Sequence, residues 1–107
     1  MRNYEILPAD VSLENENKIL TKRELEILIL IAAGFENHQI AKVFLVTLST
    51  VKKQIERIYF KLKAKNRANA VFIVQFQGLI TPRDYAAVMN SKRIREFIES
   101  TKTSKND

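Results

Sequence analysis

The most apolar stretch of the chain, Leu25 to Ala33, decides which fold classes are open to it. Five consecutive apolar residues from Ile27 to Ile31 suit a buried strand as well as a buried helix, so periodicity alone leaves the choice open. The flanking residues settle it. Thr21 and Glu24 stand three apart in "TKRE", a capping box in which each side chain satisfies the other's backbone amide. Ala32-Ala33 favours helix, and Gly34 supplies a left-handed stop. The expectation is a helix over about 22–33. The apolar run from Ile27 to Ala33 is far too short to span a membrane.

Further helices follow at short intervals. Ile40, Ala41 and Phe44 share one face of a segment over about 37–44. Thr47 is a good N-cap for a helix over about 48–63, whose apolar residues Val51, Ile55, Ile58 and Leu62 are spaced four, three and four. Asn66 can cap a helix over about 67–77 that ends at Gly78, with Ala70, Val71, Val74 and Gln75 along one face. Thr81 and Pro82 open a last helix over about 82–98, where Asn90-Ser91 is a candidate break. Residues 1–19 read as a tail or linker, with one packed piece around Tyr4, Ile6 and Leu7, and residues 101–107 as a disordered tail. The fold class is therefore all-α. A compact, 20–80 unit is followed by an extra helix within 81–100.

The net charge of +6 is concentrated in one place. Residues 47–67 hold seven basic side chains against the single acid Glu56, while the rest of the chain sums to zero. A localised basic strip points to a polyanion, although solvated lysine faces have the same composition. On a helical projection Lys53, Glu56, Arg57 and Phe60 face away from the apolar stripe, and Ala41 is small enough for close approach of the two helices before and after Thr47. A short helix, a tight turn and a basic helix suit a helix-turn-helix.

The chain from Leu20 to Ile80 resembles the LuxR/GerE-type helix-turn-helix domain of bacterial transcription regulators. The resemblance rests on Leu20-Thr21, Arg23-Glu24, Gly34, Asn37, Ile40-Ala41, Thr50-Val51-Lys52, Ile58, Lys61-Leu62, Arg67 and Ala70-Val71, in register without a gap. It implies a four-helix domain that binds double-stranded DNA, with the helix over about 48–63 in the major groove and the helix over about 67–77 as a homodimer face. Base contacts would come from Lys52, Lys53 and Glu56, with Gln54, Arg57 and Lys61 on the same helix. Thr47, Thr50 and the amides around Asn37 would hold phosphates. The dimer face would use Ala70, Val71, Val74 and Gln75. The chain departs from the pattern at Glu36, usually Ser or Thr; at Gln54, usually His; at Lys63, usually Gly; and at Phe60, usually polar or basic.

Alternatives attach to single residues. Glu56 can accept from a cytosine amino group, or pair locally with Lys52, Lys53 or Lys63, the plainer reading. Phe60 is expected to pack against the chain's own extra segments. Glu24 is a capping residue that can also pair with Arg67, and His38 is an exposed side chain with neither metal nor catalytic role. With no cysteine, no glycine-rich phosphate loop and one histidine, neither a cofactor, a small-molecule ligand nor an enzymatic activity is indicated. "MRNYEILPAD" lacks a signal-peptide pattern, which points to the cytoplasm. Two organisations fit: a stand-alone regulator, or the effector end of a longer protein. An alternative function is a helix-turn-helix module that docks on RNA polymerase or another regulator without reading DNA.

Overall fold

A computed structural model describes residues 5–7 and 19–105, with side chains through 102. The described residues form six helices and no strand. Helix α1 (Lys22–Ala32) starts at the capping box: the Thr21 amide donates to Glu24 Oε1 at 2.8 Å, and the Glu24 amide donates to Thr21 Oγ1 at 3.1 Å. It stops where Gly34 takes φ +98° and the Phe35 amide returns to the Leu30 carbonyl at 2.9 Å. Every residue from Glu24 to Ile31 is buried. A helix covered on all sides shows no clean amphipathic period, which explains its ambiguity in the sequence.

Around α1 sit α3 (Leu48–Leu62), α4 (Arg67–Phe76) and α5 (Pro82–Met89). Helix α2 (Asn37–Phe44) packs on α3, and α6 (Lys92–Lys105) packs on both α2 and α5. Thr47 caps α3 by accepting from the Thr50 amide at 3.1 Å. Asn66 caps α4 through the Asn69 amide at 2.8 Å. Thr81 and Asp84 form another reciprocal box at the start of α5, at 3.1 and 3.2 Å.

The last segment differs from expectation in two ways. The break at Asn90-Ser91 is real and separates α5 from α6, with Ser91 Oγ donating to the Val88 carbonyl at 2.7 Å. The helix does not end near residue 98 but continues to Lys105, so residues 101–105 are helical rather than disordered. Glycine and proline are both absent after Pro82, and the half-buried Phe97 and Ile98 anchor the turn from which the helix continues.

One core joins all of this. Ile27, Leu28, Ile29, Leu30, Ile40, Val43, Phe44, Val51, Ile58, Ala70, Val74, Val88 and Ile94 are all fully buried. Val88 and Ile94 belong to α5 and α6, so the division drawn after Ile80 does not separate two packing units. Ile6 and Leu7 are buried in the same core, as the packed N-terminal piece required. Tyr4, also named for that piece, lies outside the described residues. Among the described residues, no helix is long and apolar enough to cross a membrane.

Candidate nucleic-acid interface

The α3 stripe Val51, Ile55, Ile58 and Leu62 is buried, which turns the opposite side of the helix to solvent. Lys52, Lys53, Glu56 and Arg57 are all exposed there. Phe60 lies further along the same side and is 84% exposed. Among the described residues nothing covers it, so the expectation that it packs against the chain's own extra segments fails for the C-terminal helices, while most of the N-terminal tail lies outside the described residues. Position, not composition, decides this: α6 packs on α2 and α5, away from the outer side of α3.

The local ion pair expected for Glu56 is not made. Among the described residues it stands within ion-pair distance of no lysine or arginine, although it is surrounded by them in sequence. The outward surface therefore carries three cations and one carboxylate free to meet a partner. Thr47 and Thr50, at the start of α3, bond to one another through their hydroxyls at 2.9 Å, which fixes the entry of the helix.

Three of the residues named from sequence are not free on the outward surface. Lys61 Nζ donates to Glu24 Oε1 at 2.8 Å, so it is held against α1 and not offered to a ligand. Its place next to Leu62 puts it on the shoulder of the buried stripe. Gln54 is half-buried and, among the described residues, its enclosed Oε1 has no hydrogen-bond partner. Asn37 Oδ1 accepts from Arg67 Nη1 at 3.0 Å, and Arg67 Nη2 donates to the Phe35 carbonyl. Arg67 thus ties the start of α4 to the loop before α2, leaving Glu24 to Lys61. The anticipated Glu24–Arg67 pair is not formed.

Glu24 illustrates how this site is held electrostatically. Burial opposes its ionisation, but the Lys61 hydrogen bond, the Thr21 amide and the Lys61 charge outweigh that and bring its carboxyl below the ordinary range. An open cleft lies between Glu36, Asn37 and His38 at the start of α2 and Leu48 and Lys52 at the start of α3. Glu36 Oε1 and His38 Nε2 are 2.8 Å apart at its rim.

The α4 face also needs correction. Ala70 and Val74 are fully buried in the core and cannot meet a second protomer. Val71 is half-buried, and Gln75 is exposed with its Nε2 donating to the Tyr85 hydroxyl at 3.0 Å. The exposed apolar side of α4 is instead Phe72 and Phe76, 60% and 78% exposed, with rings stacked at 5.4 Å. Phe72 and Phe76 stand four apart, the same spacing that relates Ala70 to Val74.

The GerE profile, bacterial regulatory proteins of the luxR family, matches residues 18–74. A response regulator protein VraR of Staphylococcus saprophyticus is 37% identical over 87 residues, covering 73% of this chain and 42% of that protein. Its counterparts in Staphylococcus aureus and Staphylococcus epidermidis are 45% identical over 63 residues, covering 59% of this chain and 30% of theirs. The chain thus spans well under half of these relatives. No solved structure gives a significant match.

Proposed function

The chain belongs to the luxR family of bacterial regulatory proteins, and from that premise we propose that it regulates transcription by binding double-stranded DNA with α3 in the major groove. The observation that carries this reading is the exposed set Lys52, Lys53, Glu56 and Arg57 on a helix whose other side is fully committed to the core. Lys52 and Lys53 contact base edges or the flanking phosphates, and Glu56 accepts from a cytosine amino group. Thr47 and Thr50 hold the first turn of α3 near the backbone. A regulator that reads bacterial DNA acts in the cytoplasm.

Dimerisation belongs to the same reading, with Phe72 and Phe76 at its centre in place of Ala70 and Val74. Val71 and Gln75 border that pair. Two protomers joined through α4 would address paired half-sites.

The test is titration of labelled duplex DNA at two salt concentrations. With about five phosphates neutralised, log affinity falls against log salt with a slope near −4 to −5. A Lys52→Ala/Lys53→Ala double variant is expected to lose most binding and to flatten that slope. Near-wild-type binding by the double variant would overturn the groove assignment. A second reading, docking on another protein such as RNA polymerase or a regulator, is favoured by the exposure of Phe60 at the C-terminal end of the presented side. That reading gains if the wild-type chain binds no duplex while Phe60→Ala abolishes capture of a protein partner.

A further inference from the structure

The α5–α6 hairpin lies beyond the residues matched by the family profile, yet it reaches the helix-turn-helix through α2. Two contacts do this, one at each end of α2. At its C-terminal end, Arg93 Nη2 donates to the Lys42 carbonyl at 2.8 Å and Arg93 Nε donates to the Val43 carbonyl at 3.2 Å. At its N-terminal end, the Phe97 ring meets the Phe35 ring at 5.6 Å. Ile94, fully buried between the two, ties α6 to the core. One helix therefore grips another at both ends.

The chemistry at the C-terminal end is specific. The last turn of a helix leaves carbonyls without an amide four residues on, and the negative end of the helix dipole lies there; here the Lys42 carbonyl accepts only a long 3.3 Å backbone bond, from the Leu45 amide. A guanidinium fork can serve two such oxygens at once and bring the complementary charge. The same carbonyls lead directly into Leu45, which takes φ +55°, a left-handed conformation that a residue with a Cβ adopts only when its surroundings hold it. The Val46 amide then closes the turn on the Ala41 carbonyl at 3.0 Å. This turn sets the angle at which α3 leaves α2.

We infer that Arg93 is a positioning residue for DNA binding: it keeps α2, the left-handed turn and α3 in the geometry that presents Lys52, Lys53 and Glu56, without itself touching DNA. The inference rests on the DNA-binding reading above. Both of its named donor groups are engaged by backbone carbonyls of α2. When the grip is lost, only a fraction of molecules holds the competent geometry, and apparent affinity falls by that fraction.

Duplex titrations at two salt concentrations test this in the full chain, with Arg93→Gln and Arg93→Lys compared well below each variant's melting temperature. Arg93→Gln is expected to bind roughly tenfold more weakly, with the wild-type salt slope, because the competent fraction drops while no phosphate contact is lost. Arg93→Lys keeps the charge but not the fork, and recovers part of the affinity; should the Gln variant not fold, it carries the comparison alone by the same two readouts. Wild-type affinity in these folded variants overturns the inference, as a purely structural role would leave binding unmoved. A slope shallower by about one also overturns it, since that would make Arg93 a phosphate contact. If the wild-type chain binds no duplex, or Lys52→Ala/Lys53→Ala binds normally, the DNA reading falls and this inference with it.

Discussion

Lys63 carries a full side chain through φ +58° at the end of α3, where the family pattern places glycine. The left-handed region costs a residue with a Cβ on the order of 1 kcal/mol, and glycine nothing. Lys63→Gly is therefore expected to stabilise the chain by about 1 kcal/mol, less what the extra flexibility of the unfolded chain takes back; a urea midpoint that falls would refute this. Two carboxylates on α1 carry opposite pH signatures. Glu24 titrates below its ordinary 4.5, so its pairing with Lys61 stabilises the fold above that pH and is lost as pH falls through its native value. Glu26 is raised, because burial outweighs the nearby Arg23 and Lys22 charges; its ionisation costs stability progressively as pH rises above 4.5. Lys61→Met should thus be less stable than wild type at neutral pH, with the gap closing in acid. Glu26→Gln should be more stable at neutral pH, with that gain also vanishing in acid. Thermal melts at pH 3.5 and 7 check both signs. Lys61 itself shows why its role was missed: a basic helix suggests a uniform surface, while only a partner 37 residues away in sequence reveals that one of its lysines is half-buried and tied to α1.

Helices are legible in this chain because their ends are chemically marked. Thr21, Thr47, Asn66 and Thr81 were each identifiable as N-caps, and all four accept the amide three residues on. Faces are less legible than ends. On α4 two interleaved apolar sets exist, Ala70/Val74 and Phe72/Phe76, and periodicity gives each equal standing. Volume resolves them: small residues fit against the crowded α1, and the larger rings are left outside. The two sets lead to separable effects. Phe72→Glu/Phe76→Glu should leave melting nearly unchanged while raising the dimer dissociation constant on paired half-sites by at least about tenfold, as loss of an aromatic anchor does. Val74→Ala should instead cost about 1–2 kcal/mol of stability with little direct effect on assembly. Sedimentation of both variants with and without duplex separates the cases, and a monomer–dimer balance indifferent to the phenylalanines would remove α4 from the interface.

At the scale of the whole molecule, the basic strip, the compact helical core and the likeness to a helix-turn-helix family could all be read without coordinates. The role of the C-terminal hairpin could not, because what joins it to the rest is burial and long-range contact rather than local pattern. Val88 and Ile94 look like ordinary members of an amphipathic helix, yet each is sealed in the core that α1 occupies. Asp84 is buried beside them and serves the cap of α5. Removing residues 81–107 would therefore uncover α1 as well as delete the buried apolar side chains Val88 and Ile94, each worth about 2 kcal/mol. Set against the roughly 5–15 kcal/mol of a domain this size, a loss of several kcal/mol leaves little margin. The shortened chain, 1–80, is expected to melt at least about 10 °C below the full chain and to unfold at lower urea with a shallower transition. If its midpoint instead matches that of the full chain, the hairpin is dispensable to folding, and its contacts with α2 would then have to be explained by binding alone.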